Sequence, residues 1–372
     1  MQITAIECHK LLGATVDGGW PAGHEPQDDL HTLVEVHTDE GLSGIGSVFT
    51  GSALTQAGVD FLEPVWRNAA ADQPQRVSES LRQSSFWQGR GGTVEHVISG
   101  IDIALWDLFG KICNQPVSKL LGGNYRRRIK PYGSMLFDEP DILSTRLREV
   151  VDRGFQAIKL GWRPFGRRDD AFDEKLVATA RDTVGPDVTL LVDAGGSEQF
   201  WPHDYKWALR TSQMLAEYGV EWFEEPLAAD DIRGYIKLRE HSPVPIAAGE
   251  VLTRRQAFMP WIESHAVDII QPDVTKCGGL TEALRIARMA EDHHVKMVSH
   301  GWNTAVGLAA DLQLAAAMPN AYFVEYLTPA AYIEDIVVDK FEIDEEGYLQ
   351  IPQAPGLGIE LDRDALSRFS GE

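Results

Sequence analysis

The sequence predicts an α/β protein in which a closed β/α barrel follows a smaller α+β domain. From about residue 128 to near residue 334, eight short apolar runs alternate with amphipathic stretches. This is the pattern of parallel strands joined by helices. The units recur at intervals of roughly 25–30 residues, and a closed eight-stranded barrel takes ~250 residues in all. An open doubly wound sheet is the alternative, but it gives no reason for a functional group at nearly every strand end.

The first 50 residues predict antiparallel strands. ITAIECHKL and HTLVEVHT alternate apolar and polar residues, and the turn TDEG (38–41) leads into LSGIGSVF. A loop over residues 17–26 separates the first two strands and carries Trp20 and His24. This loop is either a plain surface loop or a mobile lid that closes over a ligand.

Helices are predicted from about residue 52 to residue 122. In VEHVISGIDIALWDLFGKI (94–112) apolar residues recur at helical spacing, and Pro and Gly-Gly follow it. Strands followed by helices make an α+β unit, which we place over residues 1–127.

The barrel is predicted over residues 128–334. The tail, residues 335–372, contains IPQAPGLGIEL and no further strand–helix unit, so we expect it to return to the N-terminal domain. The candidate barrel strands are IKPYGSML (129–136), FQAIKLG (155–161), TLLVDAG (189–195), VEWFEEP (220–226), VPIAAGE (244–250), VDIIQPD (267–273), VKMVSHG (295–301) and AYFVEYL (321–327).

Composition argues against several classes of protein. The net charge of −22 disfavours nucleic-acid and anionic-membrane partners, which call for clustered Lys and Arg. The start MQITAIECHK lacks the features of a signal peptide, and no apolar run reaches the ~20 residues of a membrane-spanning helix. Cys8, Cys113 and Cys277 are far apart and lack metal-binding spacing, so we expect a reducing cytoplasm.

Polar groups at the predicted strand ends indicate the chemistry. In a β/α barrel these ends face one mouth, where catalytic groups gather. A charge at the solvent boundary explains one such residue, but not seven in succession. The seven ends carry Lys159, Asp193, Glu224, Glu250, Asp273, His300 and Glu325.

Three of these residues predict a metal site. Asp193, Glu224 and Glu250 would repel one another in one mouth, and a divalent cation removes that cost. A ligand set of oxygens without Cys or His favours Mg²⁺, with Mn²⁺ as a substitute, and disfavours Zn²⁺. Strand alternation places Glu224 on the same face as Trp222, so Glu224 rather than Glu225 points inward.

Asp273 and His300 end neighbouring strands and predict an acid/base pair. An Asp that holds a His fixes its tautomer and raises its basicity. A packed, hydrogen-bonded histidine is the alternative.

With these residues in place, the sequence resembles the enolase superfamily, specifically the mandelate racemase subgroup of the mandelate racemase and muconate lactonizing branch. The resemblance covers nearly the whole chain. It implies a (β/α)7β TIM-type barrel under an α+β capping domain that the C-terminal tail completes, with specificity lids around Trp20 and at Phe49–Thr55. Besides the three metal acids, the matching motifs are ALWDLFGK (104–111), LLGG (120–123), QPDVTKCGG (271–279), SHG (299–301) and PGLGIEL (355–361).

The resemblance also implies a role for each site residue. His300, held by Asp273, is the acid/base, Lys159 contacts the substrate carboxylate, and Glu325 hydrogen-bonds it. A carboxylate substrate loses its α proton, and the metal stabilises the enediolate charge. The implied Mg²⁺ ligands are Asp193, Glu224 and Glu250.

Two positions depart from the family pattern. Relatives carry Lys-x-Lys on the second barrel strand, where this chain has Lys159-Leu160-Gly161, so the second base is missing. Gly195 stands where an Asn is frequent. A single base favours β-elimination of water from a sugar acid, which yields a 2-keto-3-deoxy acid.

Two rival functions are a racemase, epimerase or cycloisomerase, and a metal-binding barrel without catalysis. The first needs a second acid/base, from His24, Tyr132 or Lys276. The second is disfavoured by the Asp273–His300 pair.

The pocket is expected to bind a small sugar acid in a homo-oligomer. Arg163 would bind a second carboxylate or hydroxyls, or it is a solvated loop cation. Lys276 would reach the substrate or merely pair with Asp273. The candidate substrate-binding residues are Trp20, His24, Trp162, Arg163, Lys276 and Trp302.

Overall fold

A computed structural model describes residues 1–12, 29–162, 164–198, 200–328 and 331–370. It confirms the predicted fold class, because a three-stranded antiparallel sheet precedes a closed barrel of eight parallel strands. Trp20, His24 and Arg163 lie outside the described residues. Within the described part, no helix has the length and apolar character needed to cross a membrane.

The N-terminal domain packs its helices on one face of the sheet β1-β2-β3. The approach of the long helix is close: a Cβ at Gly46 would lie 1.9 Å from the carbonyl oxygen of Gly100, and one at Gly44 would lie 2.1 Å from that of Ala104. Glycines in the third strand therefore let the helix backbone rest on the sheet. The elements are β1 (Ile3–Leu12), β2 (Asp29–Thr38), β3 (Ser43–Val48), α1 (Ser52–Trp66), α2 (Pro74–Ser84), a 3₁₀ turn (Phe86–Gln88), α3 (Thr93–Cys113) and α4 (Val117–Leu121).

The barrel closes where its last strand pairs with its first, with Glu325 opposite Tyr132. All eight predicted strands are present, and most are shorter than the apolar runs that predicted them. The strands are β4 (Arg128–Leu136), β5 (Ala157–Gly161), β6 (Thr189–Asp193), β7 (Val220–Glu224), β8 (Ile246–Ala248), β9 (Ile269–Ile270), β10 (Lys296–Ser299) and β11 (Ala321–Leu327).

Seven helices connect the eight strands, which is the (β/α)7β arrangement. Each buries an apolar face against the outside of the barrel. These helices are α5 (Pro140–Asp152), α6 (Asp170–Val184), α7 (Tyr205–Glu217), α8 (Ile232–His241), α9 (Arg254–Glu263), α10 (Gly279–Asp292) and α11 (Ala305–Ala317).

A layer of side chains, one from each strand, fills the barrel interior below the mouth. The layer combines large residues such as Trp222 and Phe323 with small ones such as Ala157 and Ala247. This layer, which we call the plug, separates the polar groups at the mouth from the far end of the barrel. Its members are Tyr132, Ala157, Leu191, Trp222, Ala247, Ile269, Val298 and Phe323.

The C-terminal tail contacts both domains. After the short helix α12 (Ala331–Glu334), strand β12 (Leu349–Gln350) pairs antiparallel with β4, a barrel contact that the sequence did not predict. Helix α13 (Arg363–Ser370) then lies against β1. The Arg363 guanidinium donates to both carboxylate oxygens of Glu35, at 2.7 and 2.8 Å. The tail therefore joins the two domains.

A buried ion network also joins them. Arg82 on α2 donates to Glu95 (Nε to Oε1, 2.8 Å) and to the carbonyl oxygen of Gly278 (2.6 Å). Its Nη1 lies 3.7 Å from Oε1 of Glu282, on α10 of the barrel. All three charged side chains are at most 3% exposed.

We expect Arg82→Met to lower the free energy of unfolding by about 3–5 kcal/mol, because it leaves the buried Glu95 carboxylate without its ion-pair partner, whereas Glu282 keeps Arg255 and Arg285. Arg210→Met is the control, since Arg210 and Asp170 pair at 3.4 Å with both side chains more than half exposed. That exposed pair should contribute below about 1 kcal/mol. Urea denaturation of both variants checks this, and equal losses would contradict it.

Candidate active site

The carboxyl ends of the barrel strands surround a cavity. Residues from the second, third, fifth, sixth and seventh strand ends line it, as the strand-end rule predicts. The predicted site residues in the lining are Lys159, Trp162, Asp193, Glu250, Lys276, His300 and Trp302.

The remaining predicted acids lie behind this lining: Glu224 and Glu325 contact Lys159, and Asp273 contacts His300. Lys159 Nζ donates to Glu224 Oε1 at 2.6 Å and lies 3.0 Å from Glu325 Oε1. Burial by itself lowers the pKa of Lys159, but the charges of Glu224 and Glu325 outweigh it and raise that pKa well above its ordinary value. Lys159 therefore stays cationic.

Asp193, Glu224 and Glu250 form one cluster. A carboxylate oxygen from each lies within 4.8 Å of the others, and none of the three is more than 7% exposed. Burial and then the Glu224 charge raise the pKa of Asp193 well above its usual range. Burial also raises the pKa of Glu224, although Lys159 opposes this. Carboxylates that repel one another in a dry, all-oxygen site fit a hard divalent cation.

The structure shows how Glu224 is aimed into the cluster. Trp222, two residues earlier on the same face of β7, donates its indole N–H to Glu224 Oε2 at 3.0 Å. Glu225 instead has a left-handed backbone (φ 42°), and its carboxylate accepts from the Ser197 amide at 3.2 Å. The predicted inward side chain is therefore Glu224. The hydrogen bond from Trp222 to Glu224 was not predicted from the sequence, although strand alternation places both side chains on one face.

His300 and Asp273 form the predicted pair. Nδ1 of His300 lies 2.8 Å from Asp273 Oδ2, and Asp273 Oδ1 accepts from the amide and hydroxyl of Thr275 at 2.7 and 2.6 Å. Because a carboxylate accepts, Nδ1 of His300 donates, and Nε2 is directed at the cavity. There it lies 3.2 Å from Glu250 Oε2.

The surroundings of this pair make the histidine more basic. Burial lowers the pKa of His300, but the Glu250 charge and the bond to Asp273 outweigh it and raise that pKa. Burial raises the pKa of Asp273, but the bond from His300 and the Lys276 charge bring it well below its ordinary value. Asp273 is therefore an anion, and its charge stabilises the imidazolium that forms when His300 accepts a proton.

The capping domain completes the cavity wall. Phe49, just after β3, lines the cavity, and Nζ of Lys276 lies 4.0 Å from the centre of its ring. His31 on β2 is 1% exposed, and its Nε2 lies 2.9 Å from the carbonyl oxygen of Trp302, to which it must donate. The lid at Phe49–Thr55 was expected, but His31 was not found, because a single buried histidine in a strand gives no local signal.

The first barrel strand also contributes. Ser134, Met135 and Leu136, at the end of β4, line the cavity. These three residues were not predicted as site residues because they carry no ionisable group, although β4 also ends at the mouth of the barrel.

Comparison with known proteins identifies relatives over the whole chain. A model described as enolase C-terminal domain-like matches residues 143–365, and the N-terminal domain of the mandelate racemase / muconate lactonizing enzyme family matches residues 22–122.

Individual relatives include a cycloisomerase, a dehydratase and a racemase. The chain is 34% identical to the D-galactarolactone cycloisomerase of Agrobacterium fabrum, over 99% of each chain. It is 30% identical to the D-xylonate dehydratase of Haloferax volcanii, over 94% of this chain and 86% of the relative. A solved racemase from Streptomyces coelicolor A3(2) with bound magnesium matches with a TM-score of 0.87 and 26% identity, over 99% of each chain.

His31 should make the protein sensitive to acid. Burial lowers its pKa to about 4 from the ordinary histidine value of about 6.5. Between these two pH values the unfolded chain binds a proton that the folded chain does not, so stability falls as the pH drops from 6.5 to 4. His31→Gln should reduce this loss by about 3 kcal/mol.

Denaturation at pH 7 and pH 4.5 measures this effect. His241→Gln, at an exposed histidine on α8, is the control. Equal acid sensitivity in wild type and His31→Gln would show that His31 is protonated in the folded protein.

Proposed function

The chain belongs to the mandelate racemase and muconate lactonizing enzyme family of the enolase superfamily, and on this premise we propose that it dehydrates a sugar acid. The reaction begins with removal of the proton α to the carboxylate. One observation carries the proposal: His300 lines the cavity as a base, whereas the position of the second family base is Gly161, which has only backbone.

We propose that Asp193, Glu224 and Glu250 hold Mg²⁺. Their oxygen-only donor set and their burial support this ion, as does the magnesium in the Streptomyces relative. When bound, the ion supplies positive charge beside the substrate carboxylate, where negative charge develops during proton removal.

Lys159 would bind the substrate carboxylate through its ammonium group, and Glu325, whose pKa is lowered to about 2 with the Lys159 charge opposing the effect of burial, would hold Lys159 in place as an anion. Lys159 lines the cavity, and Glu325 lies 3.0 Å behind it. Glu325 also accepts from the Gly301 amide at 2.7 Å, so its position is coupled to the loop that carries His300. Holding the carboxylate at one end presents the α carbon to His300.

His300 then acts first as a base and afterwards as an acid with the same proton. Its Nε2 takes the α proton, and Asp273 stabilises the resulting imidazolium. The C–O bond to the β hydroxyl breaks, and the imidazolium returns the proton to the departing oxygen, which leaves as water. The histidine is neutral again, and the enol product rearranges to the 2-keto-3-deoxy acid.

Racemisation would need a second acid/base on the other face of the α carbon. Tyr132 is unsuited, because it is fully buried in the plug and burial raises the pKa of its hydroxyl well above 10. Lys276 lines the cavity, but its Nζ lies 3.7 Å from Asp273 Oδ2, beside His300 rather than across from it. The described residues thus favour one-sided chemistry.

Cycloisomerisation is the second candidate. The Agrobacterium cycloisomerase matches this chain over its full length. The same base would start the reaction, but the departing oxygen would belong to a ring in the substrate, so that no water is released. The mass of the product distinguishes the two reactions, because dehydration removes one water and isomerisation leaves the mass unchanged.

We expect the Mg²⁺-loaded protein to convert at least one member of an aldonic and aldaric acid library to a keto acid. His300→Asn should lower the rate by about 10²–10⁴-fold, because it removes the base. His241→Asn, on the exposed face of α8, is the control. NMR of the products in D₂O reads the outcome. Inverted substrate that carries deuterium, without keto acid, would establish racemisation instead.

We expect Glu224→Gln to weaken Mg²⁺ binding at least about tenfold, since it removes a charged ligand while keeping the side-chain shape. Glu221→Gln is a matched control, because Glu221 lies on the same strand but is exposed on the opposite face. Calorimetric titration of both variants with Mg²⁺ measures the difference. Equal affinities would remove Glu224 from the metal site.

A further inference from the structure

Trp162 has an unusual backbone at the edge of the cavity. It follows the last residue of β5 with φ 64°, a left-handed conformation that non-glycine residues rarely adopt. Two hydrogen bonds hold it: the Trp162 amide donates to the carbonyl oxygen of Asp193 at 3.0 Å, and the Trp162 carbonyl accepts from the Phe165 amide at 3.1 Å. The strain is therefore maintained by the surrounding structure, as at sites where a side chain must be aimed.

The indole of Trp162 rests on Gly195. A Cβ at Gly195 would lie 2.8, 3.0 and 3.1 Å from indole atoms Cδ2, Cγ and Cε2. Gly195 itself has φ 67°, and its amide donates to Asp193 Oδ1 at 2.8 Å. Any side chain at position 195 would displace the ring, so the position of the indole requires this glycine.

Gly161 belongs to the same arrangement. It pairs with Asp193 across β5 and β6, and a Cβ there would lie 3.2 Å from Asp193 Oδ2. Both Gly161 and Trp162 line the cavity. The two departures from the family pattern, Gly161 and Gly195, therefore both lie next to the Trp162 side chain. At the position of the second family base, the cavity wall has no acid/base group.

We propose that Trp162 is a specificity-determining residue, whose indole packs against the C–H face of the sugar-acid chain beyond the α carbon. This rests on the proposed function. Met135 and Leu136, on the neighbouring strand β4, pair with Leu160 and Gly161 and extend the same apolar wall. The face of an aromatic ring is electron-rich and attracts C–H groups, and burying those groups adds affinity.

Binding to the Mg²⁺-loaded His300→Asn protein tests this without turnover. The probes are D-galactonate, D-gluconate and D-xylonate, of which the tightest is used, and glycolate, which has a carboxylate and a hydroxyl but no further chain. We expect Trp162→Ala to raise the Kd of the sugar acid at least about tenfold and that of glycolate less than about twofold. Trp162→Phe should recover part of the affinity.

Two glycine variants form a matched pair. Gly195→Ala should weaken sugar-acid binding as Trp162→Ala does, because it displaces the indole. Gly219 has nearly the same backbone, φ 63°, but nothing lies within 4 Å of a Cβ there. Gly219→Ala carries the same strain without the collision, so it should leave every Kd unchanged. The Mg²⁺ affinity of each variant shows whether the metal site is intact.

Three results would overturn the proposal: an equal loss for glycolate and the sugar acid in Trp162→Ala, no loss for either, or sugar acids that bind the parent protein no more tightly than glycolate. The proposed function fails separately, if wild type forms no keto acid while the selective loss in Trp162→Ala persists. Selective loss for the sugar acid in both Trp162→Ala and Gly195→Ala supports the proposal.

Discussion

The position of Lys159 among buried carboxylates is the constraint on which the site depends. Its ammonium lies 2.6 Å from Glu224, 3.0 Å from Glu325 and 3.7 Å from Asp193. Removing these charges from water costs several kcal/mol for each ion, and only close pairing offsets it. The pairing needs four strand ends at one level, which barrel closure between β11 and β4 provides. The hydrophobic plug forms an apolar floor below the network, which strengthens the interactions between the charges.

The capping domain takes part in the site as well as covering it. The lining residue Phe49 directly follows β3, and His31 on β2 holds the Trp302 carbonyl in the loop that follows His300. Ser47 accepts from the Thr304 hydroxyl at 2.9 Å, so a second contact holds the same loop. The orientation of the acid/base therefore depends on the docking of two domains, which the Arg82 network and the tail maintain.

The cavity is chemically asymmetric. His300 and Lys276, with Asp273 behind them, line one part of it, whereas at the position of the second family base the lining is the Gly161 backbone beside the Trp162 indole. Proton removal and return on a single face suit an elimination, in which one group serves both steps. Gly161 stands at the position of the second base, and Gly195 leaves space for the Trp162 indole. The type of reaction and the recognition of the substrate therefore depend on the same strand ends.

The sequence by itself determined the barrel, the acids at the strand ends and the choice of Glu224 over Glu225. Each follows from periodicity within a few residues, because strands alternate and parallel strand ends face one mouth. The contact between His31 and Trp302, residues 271 positions apart, was decided only by the tertiary structure, as were the pairing of β12 with β4 and the packing of Trp162 on Gly195. Such contacts depend on how separate elements dock, and the local pattern at either partner carries no trace of the other.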